Sequence, residues 1–331
     1  MRTVKLLFII VLPLFLLVAC TNSRLVLRPL YNSLDDRIQK SLLGYTDFSS
    51  LQNAEVEDLI DHFHVWHRQT QMPHYAALAS TVADRLSLDE PITRESVEFW
   101  SQSLRIHSDT IGRCNPMYVS DQILAGLDDL QVAEMSEKRQ EILAERRSDD
   151  TVDFEGGSAG EDLDEVAEPG KDREIERKKR QAKNATRIRR YIELAGLEVT
   201  DKQFQDYKAT QAKQIHPKTR FREILYEWDA RFFELLKQRQ ESNWPDLLRD
   251  YVDARRTAFS ARRVDVRAHN TKLWEDYAVR TFNDLSPEQR TFVSNWLAKL
   301  STTLSSLAAD APSYTGAKAE DYECRGVKIL G

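Results

Sequence analysis

Phe221, Ile224, Leu225, Trp228, Phe232, Leu235 and Leu236 recur at the i, i+3, i+4, i+7 rhythm, with Arg222, Glu223, Glu227, Arg231 and Glu234 outside it. Such a stripe puts every large apolar side chain on one face of a helix, and that face must be buried. Other stripes share the period: Val56, Leu59, Ile60, Phe63 and Trp66; then Tyr75, Leu78, Val82 and Leu86. Further stripes run through Val97, Trp100, Leu104 and Ile111, through Trp244, Leu247, Leu248, Tyr251 and Val252, and through Leu273, Trp274, Tyr277 and Ala278. Phe292, Val293, Trp296, Leu297, Leu300, Leu304 and Leu307 form the last, and another helix is expected to start near Val119 with Ile123, Leu124 and Leu127. No comparable strand alternation occurs. One-sided stripes can be satisfied by packing against one another, so the expected fold class is all-α, a multi-helix bundle. Only 11 glycines and 10 prolines in 331 residues suit that reading, because strand-rich chains need more turn punctuation.

Pro73 falls between the first two stripes, where two helices are expected to meet at a bend. Helix starts are marked by Ser49 with Gln52, Thr200 with Gln203 and Ser286 with Gln289. A hydroxyl followed three residues later by glutamine is the spacing of a capping box.

The pattern fails over residues 148–172, which hold ten acidic residues, one lysine, Gly156-Gly157-Ser158-Ala159-Gly160 and Pro169-Gly170. This composition predicts a disordered acidic loop inserted in the bundle. Residues 173–190 reverse the sign, with nine Lys or Arg against two Glu. Either a solvated helix balanced by its own acidic loop or a contact with an anionic lipid partner fits them.

The N-terminus carries an address. Arg2 and Lys5 precede an apolar run over residues 6–18, which ends in Leu17-Val18-Ala19-Cys20. That run is shorter than the roughly 20 residues a membrane-spanning helix needs and has the form of a cleaved signal. The spacing makes residues 1–19 the signal peptide and Cys20 the first residue of the mature chain. By resemblance to bacterial lipoproteins, the Cys20 thiol takes a diacylglyceryl group and its amine a further acyl chain. Two or more chains anchor stably, at roughly 0.8 kcal/mol per buried methylene. Thr21 replaces the aspartate that marks inner-membrane retention, so the expected place is the outer membrane, periplasmic face, with residues 20–30 as tether.

After Cys20, only Cys114 and Cys324 remain. The oxidising periplasm allows one disulfide between them, closing a loop of about 210 residues, and two separate thiols fit the sequence equally well. His62, His64, His67 and His74 cluster, and on a helix His64 and His67 lie one turn apart. No carboxylate completes a zinc motif, and nucleophile-elbow, P-loop and dinucleotide fingerprints are absent. The sequence thus calls for no enzyme activity, no cofactor and no metal. An exported, acidic chain is also a poor match for nucleic acid.

Tyr31-Asn32, Asp35, Tyr45-x-Asp47-Phe48-Ser49-x-x-Gln52, Trp66-His67-Arg68, Pro73-x-Tyr75-Ala76 and Ser286-Pro287-Glu288-Gln289 together resemble an uncharacterised family of Gram-negative outer-membrane lipoproteins. The resemblance is specific over residues 15–80 and thin beyond, and the cysteine pair and acidic insertion depart from it. It implies location and a helical fold but no activity. The expected organisation is an N-terminal helical part at 31–147, a C-terminal helical part at 173–310 and a tail at 311–331. The expected role is that of a structural or interaction protein of the envelope, with an envelope protein or anionic lipid as partner. The alternative is a ligand- or metal-binding module at residues 62–74, with His64, His67, Arg68 and Tyr75 as candidate binding residues and His67 and Arg68 placed to bind an anionic group.

Overall fold

The computed structural model describes residues 31, 44–88, 90–116, 120–155, 171–215, 221–261, 264–310, 322 and 324. Every regular element among them is helical: α1 (Ser50–Trp66), a π-helical turn (His67–Gln71), α2 (Met72–Ser87), α3 (Arg94–Arg113), α4 (Asp121–Ala125), α5 (Asp129–Glu155), α6 (Lys171–Leu194), α7 (Asp201–Ala212), α8 (Phe221–Leu236), α9 (Trp244–Ala261), α10 (Val264–Asn283) and α11 (Pro287–Ala309). Among these residues no helix is long and apolar enough to cross a membrane. The signal peptide, Cys20 and the tether lie outside the described residues.

The three capping boxes are all made. Ser49, Thr200 and Ser286 each accept from the backbone amide of the glutamine three residues on, and each glutamine side chain accepts from the cap's own amide. Each box satisfies two amides that the first helical turn leaves without partners.

One local expectation is corrected. The helix expected near Val119 is a single turn, α4, and a fresh helix, α5, begins three residues after Gly126. The acidic loop expected over residues 148–172 falls where α5 runs out, at Glu155, and before α6 starts, at Lys171. Acidic residues alone do not end a helix, and the first strong breakers are Gly156 and Gly157. Residues 156–170, where the disordered loop was expected, lie outside the described residues.

Two principal cores hold the bundle. In the first, Met72, Ala79, Ala83 and Leu86 of α2 meet Leu297, Leu300 and Leu307 of α11, closed by Ile92, Val97 and Trp100. Alanines at 76, 79 and 83 let the two backbones approach, and α2 with α11 is the most extensive helix pair among the described residues. In the second, Leu124 and Leu127 pack on Leu236, Trp244 and Leu248. Both cores therefore draw on helices from either side of residues 156–170. Helix α6 ends in a Schellman turn: Leu197 N–H bonds the Ile192 carbonyl, Gly196 N–H bonds Glu193, and Gly196 sits at φ 94°. A Cβ there would also stand 3.4 Å from the Phe292 ring.

Candidate functional site

Pro73 organises the site. It brings no N–H to the helical ladder and crowds the carbonyl four residues before it. The two stripes do form two α-helices, α1 and α2, but no loop separates them. The chain inserts a π-turn, in which the Met72 N–H reaches back to His67, and the helix continues. Thr70 Oγ1 donates to the Trp66 carbonyl at 2.7 Å, supporting the widened turn. Such bulges are frequent at functional positions because they turn side chains out of the regular helical register.

This turn and its flanks bury three polar side chains, with His64 at 3%, Arg68 at 1% and Gln71 at 6% exposure. Tyr31 closes over them. Its hydroxyl lies 2.6 Å from His67 Nδ1, its ring centroid is 4.3 Å from that of His64, and the Arg68 guanidinium carbon sits 5.0 Å from the same centroid. The guanidinium is always charged, so the electron-rich Tyr31 face offsets part of the cost of burying it.

The surroundings keep His67 neutral. Burial, then the neighbouring His64 and Arg68, lower its pKa from 6.5 to about 3. In the tautomer protonated at Nε2, the Tyr31 hydroxyl donates to Nδ1. Burial pushes Tyr75 up from its ordinary range, and burial followed by His74 lowers His107. Neither His67 nor Tyr75 is matched to moving protons near neutral pH.

Two layers flank the centre. On one side Tyr75 meets His67 and His107 at ring separations of 5.9 and 5.7 Å, His74 stacks on His107 at 4.4 Å, and His107 Nδ1 lies 3.1 Å from Gln71 Oε1. On the other side Phe63 stacks on Trp66, and Tyr322 packs against both rings at 5.6 Å. The Tyr322 hydroxyl donates to the Cys114 carbonyl at 2.5 Å, and Cys114 is joined to Cys324 by a disulfide with Cα atoms 4.9 Å apart.

Of the residues singled out in the sequence, the structure thus gathers His64, His67 and Arg68 around Tyr31, sets Tyr75 against His67, and joins Cys114 to Cys324. It disperses the other histidines: His62 Nδ1 lies 2.7 Å from the Asp58 carbonyl on its own helix, and His74 faces His107. Among the described residues no group of three or more His, Cys, Asp or Glu side chains is placed to hold a metal. Sequence reasoning missed Gln71, His107 and Tyr322. Tyr322 carried the one available signal, an aromatic two residues before a cysteine.

Residues 44–154 match the model of a family of unknown function, DUF6279. The DUF6279-like segment covers about a third of the chain and contains α1, the π-turn and α2 to α4, so Trp66, His67, Arg68 and Tyr75 all fall inside it. Tyr31, which meets the π-turn, and Tyr322 and Cys324, which pack at the end of α1, fall outside it. No curated protein and no solved structure matches the chain.

Proposed function

We propose that this chain is a lipoprotein anchored in the outer membrane through Cys20, facing the periplasm, and acting as a structural or interaction protein of the envelope. The observation that carries the reading is the N-terminal pattern: a basic start, a short apolar run and Leu17-Val18-Ala19-Cys20. Tyr31 stands eleven residues after Cys20, is 6% exposed, and is fixed by His67 and Arg68. A pull on the anchor would reach the helical body through this joint.

The alternative, a ligand- or metal-binding module at residues 62–74, has less support, because His64, His67 and Arg68 all meet the Tyr31 ring. Metabolic labelling with a clickable palmitate tests the leading reading. The wild-type chain should take up label and sediment with outer membranes, and Cys20→Ala should be unlabelled. Label retained in Cys20→Ala, or no label in the wild type, would overturn it.

A further inference from the structure

Helix α6 has two faces of opposite character. Gln181, Ala185, Ile188 and Ile192 recur at spacings of four, three and four and are buried or half-buried, so this stripe packs on the body. Lys179, Lys183, Arg187 and Arg190 recur at four, four and three along another side, and all are exposed. The basic row ends beside two exposed side chains of a different kind, Tyr191 at 42% and Leu194 at 58%. From Lys179 to Leu194 the row runs about 22 Å at the helical rise.

Three of these four charges are not spent on ion pairs among the described residues. Arg189, which lies off the row, takes Glu193 and Asp201 as ion partners and stacks over Phe204. Lys183, Arg187 and Arg190 have no ion pair with a carboxylate among the described residues. The whole chain carries 53 acidic against 47 basic side chains, so this row is a local exception in an acidic molecule. An anionic surface would therefore attract this face and repel most others, which orients the body.

We infer that the outer face of α6 docks on anionic phospholipid headgroups of the membrane that holds the anchor. This rests on the lipoprotein reading only for what brings the membrane within reach. The basic row supplies the electrostatic attraction. A soluble anion would need nothing apolar, whereas Tyr191 and Leu194 suit the boundary between headgroup and acyl chain.

Lysine footprinting tests the inference on the full chain, purified from bacterial membranes with whatever N-terminal processing it carries. The protein is reconstituted in vesicles of phosphatidylcholine alone or of phosphatidylcholine with phosphatidylglycerol, and acylated with a water-soluble amine reagent. Reaction at Lys179 and Lys183 is compared by mass spectrometry with that at Lys272 and Lys299, exposed on α10 and α11. The expected result is protection of roughly threefold or more in the anionic vesicles only, reversed by about 0.5 M salt and abolished by Arg187→Glu with Arg190→Glu. Equal labelling in both vesicles would overturn the inference. So would protection already complete in phosphatidylcholine, which would mean that the chain's own acidic residues cover the row. Failure to recover the chain with either vesicle would instead count against the anchor.

Discussion

The side-chain amides of Gln52 and Gln131 hold one another in a reciprocal pair, Gln52 Nε2 to Gln131 Oε1 at 3.1 Å and Gln131 Nε2 to Gln52 Oε1 at 2.8 Å. Each glutamine also accepts from the N-cap amide of its own helix, Ser49 or Asp128, and donates to a loop carbonyl of the other, Gly126 or Asp47. Gln203 and Gln289 repeat the arrangement. They exchange bonds of 3.0 and 3.1 Å, accept from Thr200 and Ser286, and donate to Asp284 and Glu198. Two helix starts are thus locked together twice by the same device, once inside the segment matched by the family model and once beyond it.

Gln131→Ala should therefore cost about 2 kcal/mol, because it strands the buried Gln52 amide, the Asp47 carbonyl and the Asp128 amide together. Gln289→Ala should cost less than half of that, since its pair is only half-buried and water can replace the lost bonds. Urea unfolding of the two variants decides it, and equal losses would show that the pairs are not graded by burial.

Tyr31→Phe removes only the hydroxyl that meets His67 and should lower stability by about 1 kcal/mol. Tyr31→Ala also removes the ring against Arg68 and His64 and should be clearly worse. Thermal melts of both variants check the order, and a Tyr31→Ala protein as stable as Tyr31→Phe would mean that the ring contributes nothing.

Acid should loosen the π-turn. His67 is held near a pKa of about 3 when folded, against 6.5 in the unfolded chain. Between those values the unfolded state binds more protons, so the contribution is fully present above pH 6.5 and is lost as pH falls towards 3, at up to about 1.4 kcal/mol per pH unit. A His67→Gln variant should show a shallower fall in unfolding free energy over that window, and an unchanged slope would remove His67 as the cause.

Reducing the disulfide between Cys114 and Cys324 should free Tyr322 from Phe63 and Trp66. Loop-closure entropy for a sequence separation of 210 puts the ideal loss at about 5 kcal/mol. Cys114→Ser with Cys324→Ser should lower the urea midpoint and red-shift tryptophan emission, and an unmoved midpoint would show that the bond carries no stability.

Which parts of this fold could be read in advance follows from the range of the interactions. Ser49, Thr200 and Ser286 announce their helices because a capping box is complete within four residues. The Asp128 box with Gln131 has the same spacing, yet a search for hydroxyl caps passes over its carboxylate. That Gln131 seeks Gln52, 79 positions away, has no local signature at all. Pro73 marks a disturbance in the ladder, but whether a chain bends or widens there depends on the supports it finds, here Thr70 and Tyr31. Arginine belongs outside by composition rules, so the burial of Arg68 is visible only once the Tyr31 ring is in place. For Cys114 and Cys324 the sequence left pairing and separation equally open, because nothing local relates residues so far apart.

The bond between Cys114 and Cys324 also makes a closed covalent ring of everything from residue 114 to residue 324, including the acidic residues between α5 and α6. A protease that cuts once anywhere in that ring opens it without releasing a fragment. Both cut ends stay attached to the N-terminal part of the chain through Cys114, and two separate bands would emerge on a gel only after a reductant is added.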